Sequence, residues 1–117
     1  MVVVIQRMVQ KVIDAQNMEV WDKLDAVDKK FNELEKKLGY PQNKKRLRCL
    51  FGSLDSNTIV IEYEWTSLGK MERTMTKAFL DPEYQKLNKE LEGIIESSTI
   101  EIYTPIISLG DLSKAKE

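Results

Sequence analysis

The sequence predicts a single α+β domain with the element order β-α-β-β-α-β. Three patterns predict it: an apolar, β-branched run at the start, two helical stretches, and three later segments in which apolar and polar residues alternate. The 117 residues fit one domain and are enough to bury a hydrophobic core. We expect this domain to span residues 1–107, followed by a short polar tail at 108–117.

The first predicted strand, Val2 to Gln10, is apolar on both of its faces. Val2, Val4 and Met8 alternate with Val3, Ile5 and Val9. A strand of this kind is typically covered on both sides of its sheet. The pattern leaves open which set of side chains faces the helices.

Two helical regions follow from apolar spacing and from end signals. Asn17 or Asp14 predicts the start of the first helix. Between Val20 and Leu38 the apolar residues recur in steps of four and three, Trp21 widens the stripe, and Gly39 predicts the end of the helix. Ser67 predicts the start of a later helix. The run 81–83, Asp-Pro-Glu, predicts a restart, so we expect two helical segments with a bend between them.

Segments 46–52 and 58–66 predict a hairpin around the turn-rich stretch 53–57. One register matches apolar with apolar residues and opposite charges with each other. Its pairs are Phe51 with Ile59, Cys49 with Ile61, Leu47 with Tyr63, Arg48 with Glu62, and Arg46 with Glu64. This register places Arg46 and Arg48 on the sheet face away from the helices. The last strand is predicted at Ser98 to Ile107.

The element order corresponds to a ferredoxin-like fold, a four-stranded antiparallel sheet with helices on one face. Two helices cover only one face, whereas the first strand is apolar on both. A second copy packed against the uncovered face would bury this apolar surface, so we predict a homodimer formed through the sheet face. The alternative is that this face is solvated.

Composition excludes several classes of function. The net charge is −1, which gives no reason to expect a nucleic-acid or membrane partner. The chain contains no histidine and a single cysteine, Cys49, so it lacks the usual general base, haem ligand and zinc ligand, and we expect no cofactor and no metal. The apolar start is too short for a signal peptide or membrane span, which predicts a cytoplasmic protein.

Two groups of side chains are candidates for a ligand site. The first is the aromatic set Tyr63, Trp65 and Trp21, which we place between sheet and helices, where it could line a pocket for a flat apolar molecule or simply pack the core. The second is the charged set expected on the other face: Arg7, Arg46, Arg48, Glu62, Glu64, Glu101 and Tyr103. This set could provide a glutamate of raised pKa for proton transfer, or a structural ion-pair network. The basic run 43–46 is interpreted as solvated surface.

Several motifs resemble one known superfamily. The runs 62–68 (EYEWTSL) and 79–85 (FLDPEYQ), Gln6-Arg7 in the first strand, and the ending 96–103 (ESSTIEIY) are similar to those of dimeric α+β barrel proteins, above all NIPSNAP-like ones. The resemblance implies a homodimer whose two sheets form a barrel with the helices outside. The wider superfamily includes cofactor-independent antibiotic biosynthesis monooxygenases, lactone isomerases and haem-binding enzymes. This chain departs from the haem branches because it lacks their histidine.

The function stays open among three alternatives. The chain could be a dimeric domain that binds a small apolar or aromatic ligand. It could be a cofactor-independent monooxygenase or isomerase acting on an aromatic or polyketide-like substrate, or a module for dimerisation alone. Because fold does not determine function, the resemblance supports the architecture only.

Overall fold

The computed structural model describes residues 4–52 and 54–106. Its elements are β1 (Val4–Val12), α1 (Met18–Leu38), β2 (Lys45–Arg48), β3 (Thr58–Trp65), α2 (Leu68–Phe79), α3 (Pro82–Glu92) and β4 (Ile95–Tyr103). The predicted α+β class and element order are confirmed, with the second helical region divided into α2 and α3. Val2, Val3, Ile107 and the predicted tail lie outside the described residues.

The capping residues that the sequence indicated are found at helix ends. The Asn17 side chain accepts a hydrogen bond from the Glu19 backbone N–H at the start of α1. Gly39 ends α1 with φ of 100°, a left-handed conformation that glycine adopts without a steric cost. Ser67 and Asp81 cap α2 and α3 in the same way as Asn17 caps α1.

The four strands form one antiparallel sheet in the order β2-β3-β1-β4. In β1, the even-numbered residues face the helices: Gln6 pairs with Tyr63 and Gln10 with Ile59, two β3 residues whose side chains belong to the core side. The odd-numbered residues of β1 lie on the opposite surface, here called the open face. The open face consists of Ile5, Arg7, Val9, Lys11, Lys45, Leu47, Thr58, Val60, Glu62, Glu64, Ser97, Thr99, Glu101 and Tyr103.

The predicted register of the hairpin is wrong. Ile59 pairs with Arg48 instead of Phe51, and Ile61 pairs with Arg46, which is a shift of three residues. Because side chains alternate along a strand, an odd shift moves Arg46 and Arg48 to the helix side and Leu47 to the open face. The pairs Arg48–Glu62 and Arg46–Glu64 therefore do not form.

The two arginines find their partners on α1 instead. Arg46 contacts the carboxylates of Asp25 at 3.1 Å and Asp28 at 3.4 Å. The Arg48 guanidinium lies 4.3 Å from the centre of the Trp21 ring and donates a hydrogen bond to the Ser56 carbonyl. These contacts between strand and helix favour the observed register over one set by cross-strand charge pairs. β2 then ends at Arg48, and Phe51 is 95% exposed in the following connection.

The hydrophobic core lies between the sheet and the three helices. It is formed by the α1 stripe (Leu24, Val27, Phe31, Leu34, Leu38), by the helix-facing residues of β1 and β3, and by Met71, Ala78 and Leu87 of the other two helices. Phe31 packs edge-on against Tyr84 of α3, with ring centres 5.5 Å apart. No helix within residues 4–52 and 54–106 is both long enough and apolar enough to span a bilayer.

Candidate functional site

A half-open cavity of about 480 Å³ lies between the helix side of the sheet and helices α1 and α3. The sheet contributes Met8, Gln10, Arg46, Ile59, Ile61, Tyr63, Ile95, Glu96, Ser97, Ser98 and Ile100. The helices contribute Leu24, Val27, Asp28, Phe31, Glu35, Phe79, Tyr84, Asn88, Leu91 and Glu92, and Lys44 completes the wall just before β2. Mostly apolar walls with a few polar groups are typical of small-molecule sites.

A polar network occupies one end of this cavity. The buried Tyr63 hydroxyl donates a hydrogen bond of 2.6 Å to Oε2 of Glu35. Lys44 Nζ lies 3.4 Å from Oε1 of the same carboxylate and 2.7 Å from Asp28 Oδ1, and it also donates to Asn32. Lys44 is only 13% exposed at its side chain, so these contacts are shielded from water. We call Tyr63, Glu35, Lys44 and Asp28 the carboxylate network.

Burial controls the proton affinities in the carboxylate network. Loss of hydration raises the pKa of Glu35 above its ordinary value, against the opposing effects of the Lys44 charge and the Tyr63 hydrogen bond. Burial, together with the neighbouring Glu35 charge, raises the pKa of Tyr63. The phenol therefore keeps its proton, which it donates in the hydrogen bond to Glu35.

Gln10 provides a polar group at a second position in the cavity wall. Its side chain is 4% exposed, and its carboxamide oxygen is sealed from solvent with no hydrogen-bond partner among the described residues. Its neighbour on β4 is Ser98, which faces the same side of the sheet and also lines the cavity. A buried polar atom without a partner is unfavourable for folding.

The predicted aromatic set is only partly brought together. Tyr63 lines the cavity. Trp65 is 1% exposed, packs against Tyr40, and donates a 3.0 Å hydrogen bond to Gln6, so it supports the site from within the core. Trp21 donates to the Ala15 carbonyl and packs on Arg48, and it is not a cavity-lining residue.

The predicted charged set is divided between the two faces of the sheet. Arg7, Glu62, Glu64 and Tyr103 lie on the open face, as expected, where Arg7 comes within 3.8 Å of Glu101. Arg46 and Arg48 lie on the helix side, and Arg46 lines the cavity. The sheet therefore separates the open-face members from the carboxylate network.

The residues with the strongest polar contacts in the cavity were missed by sequence reasoning. Glu35 follows Phe31 by four residues and Asp28 by seven, so both acids lie on the apolar stripe of α1. An acidic residue on the apolar stripe of a helix was the sequence signal that could have identified these two residues. Lys44 was placed on solvated surface, which is wrong, because α1 supplies two buried carboxylates for it.

The carboxylates of this site already have cationic partners. Lys44 contacts both Asp28 and Glu35, and Arg46 contacts Asp28. The described part of the chain contains no group of three or more Cys, Asp or Glu residues arranged to hold a metal ion.

The fold is shared with several solved structures. A NIPSNAP domain protein from Burkholderia xenovorans is 11% identical, with a TM-score of 0.71 over 88% of this chain and 94% of that one. A NIPSNAP family protein from Agrobacterium tumefaciens is 16% identical, with a TM-score of 0.66 over 88% and 92%. The expected NIPSNAP-like, ferredoxin-like fold is thus confirmed.

An enzyme with this fold is also similar. SnoaB, a cofactor-independent oxygenase from Streptomyces nogalater, is 15% identical, with a TM-score of 0.65 over 93% of this chain and 98% of that one. No family model matches the sequence, and no curated protein is similar to it. At these identities, the likeness concerns the fold alone.

Proposed function

We propose that this protein, with the NIPSNAP-like α+β fold, binds a small, mainly apolar molecule in the cavity between its sheet and helices, and that it does so as a homodimer. The observation that carries the proposal is the cavity of about 480 Å³ with a buried carboxylate network on its wall. A volume of this size suits a ligand of two or three rings. A filled core at Tyr63 would instead have favoured a role in dimerisation alone.

The cavity wall combines a flat apolar surface with a directional polar group. Phe31, Tyr84 and Ile61 supply the apolar surface, while Glu35 can accept further hydrogen bonds beside Tyr63 and Lys44. A ligand hydroxyl or N–H directed at Glu35 would be oriented by it. Because the contact is shielded from water, it would contribute to selectivity for ligands that carry a donor.

The open face supports the homodimer. Its centre is apolar, with Val9 paired to Val60, and Leu47 and Tyr103 leave about half of their surfaces exposed. Nearby, Arg7 Nε and Glu101 Oε1 are sealed from solvent without hydrogen-bond partners among the described residues. A second copy packed through the same face would cover the apolar strip and place its own charged groups next to Arg7 and Glu101. Such a dimer leaves each cavity on the outer, helix side.

A second candidate function is a cofactor-independent monooxygenase, favoured by the fold shared with SnoaB and by the raised proton affinity of Glu35. Glu35 would take a proton from an acidic CH₂ group between aromatic rings. The carbanion would then reduce O₂, giving overall R₂CH₂ + O₂ → R₂C=O + H₂O. This alternative differs from simple binding because it consumes one O₂ per product, which an oxygen electrode measures.

Binding is tested with 1-naphthol, a two-ring probe with one hydroxyl, by isothermal titration and by tryptophan fluorescence. Tyr63→Phe disturbs the carboxylate network and should weaken binding about 5- to 10-fold, the range for one hydrogen bond. Tyr103→Phe makes the same change on the open face and should bind like the parent. Equal affinity of parent and Tyr63→Phe would contradict the proposed site, and native mass spectrometry of the purified protein would reveal a retained ligand.

A further inference from the structure

We infer that a row of alternating charges makes the open face complementary to a second copy of itself, and that these charges fix how the two copies recognise each other. The inference rests on the homodimer of the proposed function and adds the contacts that select the partner. The four residues of the row, neighbours across the sheet and here called the charge row, are Lys45, Glu62, Arg7 and Glu101.

The charge row crosses all four strands at one level of the sheet. Lys45 of β2 pairs with Glu62 of β3, and Glu62 pairs with Arg7 of β1. Arg7 in turn pairs with Glu101 of β4. In the strand order β2-β3-β1-β4, the signs of the charges are therefore plus, minus, plus and minus.

Within one chain the charge row is accessible and poorly paired. Arg7 approaches Glu101 only to 3.8 Å, and the two side chains remain 33% and 43% exposed. Lys45 is exposed and Glu62 is half-buried, and neither has an ion-pair partner among the described residues. Opposite charges that lie side by side without pairing remain available to a facing surface.

A two-fold axis parallel to the strands makes the charge row complementary to itself. Such an axis reverses the order of the strands in the facing sheet and sets each level of the sheet opposite the same level. Lys45 then faces the partner's Glu101, and Glu62 faces the partner's Arg7, so all four contacts join opposite charges. Two residues further along β1, the same axis sets Val9 against the partner's Val60, within the apolar strip.

The other face-to-face arrangement brings like charges together. An axis that runs across the strands sets β1 against β1 of the partner subunit. If that axis passes through the charge row, Arg7 faces the partner's Arg7; if it passes through Val9, Arg7 faces the partner's Lys11. Like charges in contact suppress a pairing, so the order of signs favours the axis parallel to the strands.

The test exchanges the charges at the two ends of the row, with Lys45→Glu and Glu101→Lys. In one chain these residues lie on opposite edges of the sheet, three strand spacings or about 14 Å apart, so they do not contact each other. In either variant alone, both end contacts of the dimer join like charges, and sedimentation should show self-association at least about 10-fold weaker than in the parent.

An equimolar mixture of the two variants should dimerise with an affinity close to the parental one, because each chain then meets opposite charges. Isotope labelling of one variant lets native mass spectrometry identify the mixed dimer. If Glu101→Lys does not fold, Lys45→Glu is mixed with the parent instead. That mixed dimer has one favourable and one unfavourable end contact, and its affinity should lie between those of the parent and the variant.

The matched control is Lys29→Glu, the same exchange on the outer surface of α1, which should dimerise like the parent. Self-association of both charge-row variants as strong as the parent's, or a mixture that stays monomeric, would overturn the inference. If those variants stay dimeric while Val9→Glu dissociates, the open face is the interface and only the charge row is refuted. A monomeric parent would instead refute the homodimer of the proposed function.

Discussion

The two buried glutamines of β1, Gln6 and Gln10, should affect the free energy of unfolding differently when each is replaced by leucine. In Gln6→Leu, the Trp65 indole N–H, 1% exposed, loses its 3.0 Å acceptor. An unsatisfied buried donor lowers the free energy of unfolding by about 1–3 kcal/mol, and the leucine side chain has no acceptor to replace the lost one. In Gln10→Leu, the substitution removes an oxygen that already lacks a partner, so the free energy of unfolding should stay the same or rise, by up to about 1–2 kcal/mol.

These opposite signs can be measured by urea and thermal unfolding of the two variants and the parent. For a domain of this size, a change of about 1 kcal/mol shifts the midpoint temperature by about 3–5 °C. We expect Gln6→Leu to melt several degrees below the parent and Gln10→Leu at or above it. The reasoning would be refuted by an equal loss of stability in both variants, because Gln10 would then have a stabilising partner in the free protein.

Three further perturbations test the rest of the structure. Glu35→Gln should flatten the pH dependence of stability: burial raises the folded-state pKa of Glu35 above 4.5, so its contribution is present below pH 4.5 and is lost as the pH rises through the raised pKa. Urea titrations of parent and variant from about pH 4 to about pH 8 measure this, and parallel profiles would contradict it. Arg48→Ala removes the contact with Trp21 and should lower the free energy of unfolding by about 0.5–1 kcal/mol without changing the oligomeric state. If sedimentation shows that this variant no longer forms the dimer, Arg48 lies at an interface. Val9→Glu puts a charge on the apolar centre of the open face, so light scattering should show that a dimer of 13.6 kDa chains becomes a monomer. Lys29→Glu, on the outer surface of α1, should leave the dimer intact. If the Val9→Glu variant remains a dimer, the open face is not the interface.

The element order was predictable because each element carries its own signals. The caps Asn17, Ser67 and Asp81 and the terminator Gly39 act through backbone groups only a few residues away. Local hydrogen bonds of this kind are encoded in short stretches of sequence. In α1 the apolar stripe repeats over many residues, so a single residue that departs from the pattern does not change the prediction of a helix.

The register of β2 was not predictable from the two strands alone. The alternating pattern offered charge pairs between Arg46 or Arg48 and the glutamates of β3. In the structure both arginines contact α1, where Asp25, Asp28 and Trp21 are available. Cross-strand pairs contribute little individually, so contacts with a distant helix can decide between registers.

The candidate site was predictable only at Tyr63. Its position on the apolar face of β3 placed it between sheet and helices. Glu35 was not singled out, and Lys44 was assigned to solvated surface because charged residues are seldom buried. Each is buried because the other is present. Sequence periodicity is assessed within one helix or strand at a time, so it cannot predict a contact in which a helix residue and a loop residue each depend on the other.

The edge strand β4 has a consequence for the kinetics of the proposed binding. Ile100 faces the helices yet remains 49% exposed, and it lines the cavity, so the ligand space opens at this edge of the sheet. An entrance formed by missing cover needs no lid to move before a molecule can enter. We therefore expect association to be a single step whose observed rate rises linearly with probe concentration and shows no plateau, and we expect differences in affinity between ligands to reside in their rates of release.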